Sequence, residues 1–289
     1  MSLPTIRNAT FTIRLKEYPK PIKIRPMIVA EHKSIQQAID IGSEIDVALT
    51  ISEITAACTD NLITGSNAPQ YILDYLFLQL YMTSVENMVN SKYTCHGILK
   101  DKETGKELID EETKDKLRCN ASIDVKLPLD RAHIMYPDKY EESRNVSIND
   151  EVSIHLKGLS LVANTEVTEM RNSILEKIES AYNLSELEEP TPEQTKEIED
   201  IDKTVDDLKK EIQDFYFYNS VEYVQTAEGN KVPGVDFTRE EFLEWLNNCP
   251  SKVLTKIQSF YEVRPTMGLD IDITCPECGN KHKSELRGL

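Results

Sequence analysis

Apolar and polar residues alternate over residues 10–15 and again over 22–27, with the turn-forming run Tyr18-Pro19-Lys20-Pro21 between them. That pattern predicts an opening antiparallel strand pair. The spacing then turns helical over residues 31–41, 44–57 and 68–89, the last behind Ser66 and Asn67 as candidate caps and with Pro69 in its first turn. Ile72, Leu73, Leu76, Leu80 and their apolar neighbours leave this third helix little polar face. It is expected to be covered on most sides and to form the centre of the core.

Strand-like runs return at residues 92–99 and 121–127, where Ile123, Val125 and Leu127 alternate with polar residues, and the charged stretch between them reads as the solvated tip of a long hairpin. Residues 128–150 read as loop, and VSIHLKGLSLV (152–162) as one or two further strands. Residues 166–183 and 193–218 look helical, joined by the acidic turn LSELEEPTP. In the second of them Ile198, Ile201, Val205, Leu208, Ile212 and Phe215 recur at alternating intervals of three and four, which is a coiled-coil a/d seam. A looser stripe of Val167, Met170, Ile174, Ile178 and Ala181 could face it, giving an antiparallel helical hairpin. Such an arm either braces its own domain or binds a partner, and the six seam residues are the candidate partner-binding positions. Thr238 with Glu241 forms a capping box ahead of FLEWL, a last helix spans 251–261, and LDIDIT (269–274) alternates as a strand.

The chain has 289 residues with 39% hydrophobic and 29% charged positions, enough for one or two domains with a sizeable core. Its 33 basic against 50 acidic residues give a formal charge of −17, which repels phosphate backbones and argues against nucleic acid as a partner. The first residues lack the basic start, apolar stretch and cleavage site of a secretory leader, so a cytosolic protein is expected. The longest apolar segment, residues 71–89, is interrupted by Asp74, Gln79, Glu86 and Asn87 and falls short of a membrane span.

In a reducing compartment six cysteines point to metal or to burial before disulfides. Cys275-Pro276-Glu277-Cys278-Gly279 has the two-residue gap that lets both thiolates reach one ion from a tight turn, and the glycine tolerates the positive φ of such a knuckle. Cys95 and Cys119, at the bases of the long hairpin, would complete a closed structural zinc site of four thiolates. The looser spacing of that second pair and the isolation of the knuckle as a half-site leave alternatives open, of which a redox CxxC pair is disfavoured because strand and not a helix follows it. His96 or His282 could replace a thiolate, Cys119 could be an unliganded core residue, or the ribbon could be degenerate and metal-free. Cys58 and Cys249 have no such partners, and packing is the favoured reading of Cys58. GxSxG, GxxxxGK(S/T), HExxH and GxGxxG are all missing, and His32, His133 and His155 stand alone, so no enzyme and no small-molecule substrate are expected.

The predicted fold class is α+β: a helical core with small antiparallel β elements, a C-terminal zinc-ribbon-like knuckle and a helical hairpin arm. Three regions are expected. Residues 1–127 hold the strand pair, the helical core and the cysteine-bearing hairpin. Residues 128–234 form an elaborated middle with the arm at 166–218. Residues 235–289 carry the last helices and the CPECG knuckle packing back on the N-terminal part.

The stretch Arg25-Pro26-Met27-Ile28-Val29-Ala30-Glu31-His32-Lys33, the segment Ile54-Thr55-Ala56-Ala57-Cys58-Thr59, the helix Asp74-Tyr75-Leu76-Phe77-Leu78-Gln79-Leu80 followed by Ser84-Val85, the hairpin with Cys95 and Cys119, and the terminal CPECG occur in that order. So arranged, they resemble the baseplate hub proteins of T-even-like contractile-tailed phages, over roughly residues 10–127 and 235–289. The resemblance implies a structural or assembly role in the tail baseplate without catalysis, with other baseplate and hub proteins, or further copies of the chain, as partners. The implied location is the virion tail, and the host cytoplasm during assembly. A hub assembly chaperone that leaves the finished virion is the nearest alternative. A zinc-ribbon enzyme or nucleic-acid-binding factor is the rival from another class, disfavoured because the ribbon offers only Lys281, Lys283 and Arg287 beside acids.

Overall fold

The computed structural model describes residues 9–42, 44–101, 104–110, 113–185 and 191–287. Positions 102, 103, 111 and 112 of the hairpin tip, residues 186–190 of the acidic turn and the side chains of Lys283 and Arg287 lie outside the described residues.

The predicted strand pair is present as β1 (Phe11–Ile13) and β2 (Ile22–Ile24), antiparallel, with Ile22 and Ile24 fully buried. Helix α1 (Val29–Ile41) begins where Glu31 Oε2 accepts the Ile28 N–H at 2.9 Å, and it ends at Gly42, whose φ of +81° only glycine adopts without strain. Helices α2 (Glu44–Cys58) and α3 (Gln70–Ser84) follow. Ile72, Leu73, Leu76 and Leu80 of α3 are all but inaccessible and form, with β1, β2, α1 and α2, the first of the hydrophobic cores. Burying each such side chain is worth about 1.5–3 kcal/mol, which is why α3 tolerates almost no polar face.

Helix α3 stops at Ser84, short of the expected residue 89. Val85 leaves helical φ/ψ, and Met88 already pairs with Pro128 as the first rung of β3 (Met88–Thr94) and β4 (Ser122–Pro128). Between these strands the chain makes two small turns whose segments exchange backbone bonds in a ring: Leu99 N–H to Leu117 O, Leu117 N–H to Leu108 O and Leu108 N–H to Leu99 O, each 2.9 Å.

Residues 128–150, read as loop, contain a 3-10 turn (Leu129–Arg131), β5 (Ala132–Met135), the one-turn helix α4 (Tyr140–Ser143) and β6 (Asn145–Ser147). Their regularity comes from tertiary pairing, which local pattern does not report. β6 pairs with β7 (Ser153–Leu156), and the residues after β7 enter a helix: Ser160 Oγ accepts the Ala163 N–H at 3.2 Å and starts α5 (Leu161–Ser185) five residues before the expected position. α5 and α6 (Pro192–Asn219) pack against each other as the expected hairpin, with α6 opened by a capping box between Thr191 and Gln194.

Strands β8 (Val221–Thr226) and β9 (Gly229–Lys231) complete a four-stranded antiparallel sheet in the order β6-β7-β8-β9. With α4, α7 (Arg239–Asn247) and α8 (Lys252–Glu262) it encloses a second core around Phe217, Phe242, Ile257 and Phe260. β10 (Thr266–Thr274) lies between β5 and β11 (Lys281–Arg287), and its alternation puts Leu269, Ile271 and Ile273 inside and Asp270 and Asp272 outside. Those three residues meet Ile123 and Leu127 of β4 in a third core that ends in cysteines.

Candidate metal centre

The Sγ atoms of Cys95, Cys119, Cys275 and Cys278 all lie within 4.8 Å of one another. Cys95 and Cys278 are 3.6 Å apart and Cys119 and Cys275 3.8 Å. A tetrahedral zinc with zinc–sulfur bonds of about 2.3 Å sets its sulfurs ~3.8 Å apart, so the donor set fits such an ion in type, number and spacing. Cys95 and Cys275 are buried, Cys119 and Cys278 half-buried, and the third core backs the group.

Two backbone devices place these thiols. At the hairpin base, the Cys95 N–H bonds Ala121 O, the Asn120 N–H bonds Cys95 O and the Cys119 N–H bonds Gly97 O, all at 2.9 Å, which presents the two side chains together. At the other end, the Cys275 N–H bonds Asn280 O and the Gly279 N–H bonds Cys275 O, both at 2.9 Å, with Gly279 at φ +71°. Backbone N–H groups of Cys278 and then Glu277 point at the Cys275 sulfur and pull its thiol down to about 7, a poise suited to a metal-bound thiolate. Burial pushes the Cys95 thiol up to about 12 in the absence of a cation, and a bound ion would reverse that preference.

The knuckle is one of three copies of a single turn. Asp101 and Asp110 stand where Cys275 stands: each N–H bonds the carbonyl five residues on at 2.8 Å, and Gly105 (φ +68°) and Lys114 (φ +62°) take the place of Gly279. Their carboxylates accept the N–H groups of Thr104 and Thr113 at 2.8 Å, as the Cys275 sulfur accepts that of Cys278. Sequence reasoning missed this. The signal was a nine-residue repeat in which Leu99, Asp101 and Thr104 recur as Leu108, Asp110 and Thr113.

The joint between the two devices is tight. Asn280 Nδ2 donates to Ile98 O at 3.0 Å, and a Cβ on Gly97 would run into the Asn280 side chain. Among the suggested substitutes for a thiolate, His282 places Nε2 3.1 Å from the Cys95 sulfur but stands outside the group of four, whereas His96 is exposed and edge-on to Tyr93. His282 is thus placed to orient Cys95 by a hydrogen bond.

Of the remaining cysteines, Cys58 is buried with its sulfur 3.8 Å from Glu31 Oε2, and Cys249 is half-buried just past the end of α7. Of the six seam residues on α6, Val205 and Phe215 are buried, while Ile198, Ile201, Leu208 and Ile212 are partly covered. No described helix is long and apolar enough to cross a membrane.

No curated protein and no solved structure matches the chain significantly. The family described as T4 bacteriophage base plate protein matches it over residues 6–289, so the likeness includes the middle region that the ordered segments left aside. The chain belongs to that family of phage baseplate proteins.

Proposed function

We propose that the chain is a structural component of the baseplate hub, that it acts by binding other baseplate proteins, and that it carries one structural zinc ion held by Cys95, Cys119, Cys275 and Cys278. The observation that carries this reading is the closed donor set: four thiols within 4.8 Å of one another, drawn from two distant chain segments and backed by a hydrophobic core. A site with four protein ligands leaves no open coordination position, so the ion would serve folding and not catalysis. The arm built from α5 and α6 is the contact element, supported by the seam residues Ile198, Ile201, Leu208 and Ile212 that α5 leaves partly uncovered.

Immuno-labelled electron microscopy of purified tails, together with peptide counting by mass spectrometry, tests the role. A resident subunit gives label at the tail tip and a fixed copy number per tail. A chain that is needed for tail formation yet missing from finished tails would be an assembly chaperone, and the hub-subunit reading would fall.

A further inference from the structure

We propose that the distal half of the arm seats a basic amphipathic helix of another protein against an apolar stripe on the outer flank of α5. This rests on the reading of the arm as a contact element. Leu175, Ile178 and Tyr182 are spaced by three and four residues and therefore share one helix face. They are 62, 46 and 59% exposed, although the neighbouring Ile174 is buried. Single exposed apolar side chains need no explanation, but three large ones in a row over two turns mark an interaction face.

Charge selects the occupant. Between residues 176 and 207 the sequence carries twelve carboxylates and three lysines. On α6 a groove of about 360 Å³ sets Ile201 among Glu193, Glu197 and Asp200, with Lys196 the one base along it. A second copy of the chain would bring the same negative surface against itself, and like charges in apposition are repelled. A helix with an apolar stripe and lysine or arginine flanks satisfies both features, in the way amphipathic helices commonly lie in apolar grooves.

The test uses the full-length protein and two synthetic helical peptides with one leucine stripe, flanked in one by lysines and in the other by glutamates. The decisive variant is Leu175→Asp with Ile178→Asp, at two exposed positions where the fold should tolerate the change. The lysine peptide is expected to bind at least tenfold more tightly than the glutamate peptide, and the double variant to weaken it at least tenfold. Attraction by bulk charge alone would make the more acidic variant bind as well or better, which overturns the proposal. Equal binding of the two peptides overturns it as well, as does concentration-dependent self-association of the wild type that the variant abolishes. A variant that keeps peptide binding in a protein found resident in tails removes this stripe but leaves the hub reading intact. Loss of peptide binding in a protein absent from tails does the reverse.

Discussion

The sulfur atoms of Cys95 and Cys278 lie 3.6 Å apart although 183 positions separate them in the chain. An ion between them would close a loop of that length, and apparent binding free energies of structural zinc in small peptides are about 10–16 kcal/mol near neutral pH. Replacing Cys278 by Ser should lower zinc affinity by at least about a hundredfold. Hydrogen exchange of β3, β4 and β10 should then quicken while α7 and α8 stay protected. Uniform loss of protection would mean that the centre does not act locally.

A chelator strong enough to strip zinc should lower the melting temperature of the wild type and leave that of Cys275→Ser nearly unchanged. Calorimetry with and without added zinc checks this, and equal melting of loaded and stripped wild type would count against a structural ion.

Gly97 and Asn280 predict a second effect at the same joint. Because a Cβ at Gly97 meets Asn280, Gly97→Ala should destabilise the protein by about 1–3 kcal/mol, as overpacking does. Asn280→Ala, which removes the bond to Ile98 O, should cost about 1 kcal/mol. In the double variant the contacts with the amide and Cγ of Asn280 are gone and only that with its Cβ remains, so urea titration should find a combined loss smaller than the sum of the two.

Asp74 gives a pH dependence. It sits on α3 beside a cavity of about 190 Å³, and burial pushes its carboxyl up to about 7. With the folded value above the ordinary one near 3.8, the native state holds the extra proton, so this group makes stability fall as pH rises from about 4 to about 7. Asp74→Asn should raise stability by about 1–3 kcal/mol at pH 8 and leave it unchanged near pH 3. Denaturation midpoints at the two pH values decide it.

Glu31 shows the opposite sign. Although burial alone would raise its carboxyl, hydrogen bonds from Arg25 at 2.6 and 3.0 Å and from the Ile28 N–H hold it below the usual range. Its contribution is present above about pH 4.5 and is lost as pH falls through the lowered value. Glu31→Ala should cost about 1–3 kcal/mol at pH 7, with early exchange at the start of α1. A variant as stable as the wild type at pH 7 would show that this bond set is not a stabiliser.

Local pattern was enough where one element's own side chains decide its fate. The alternation of Leu269, Ile271 and Ile273 made β10 legible, and the CPECG spacing made the knuckle legible. It failed where a distant partner decides: Ala132 and His133 are strand because β10 pairs with them, and Met88 leaves the helix because Pro128 lies opposite. The start of α5 was missed for a third reason, since LSLV alternates like a strand while the Ser160 hydroxyl caps a helix. The pairing of Cys95 with Cys278 could be suspected from cysteine counting, but the three-copy turn needed the nine-residue repeat to be noticed.

The proposal that this chain holds a structural zinc ion stands most directly on the four-thiol donor set, which would form a closed coordination shell. X-ray absorption at the zinc edge of the purified full-length protein measures that shell. The prediction is four sulfur neighbours at about 2.3 Å. Three protein ligands with a nitrogen or oxygen neighbour, the signature of an open and exchangeable position, would contradict it.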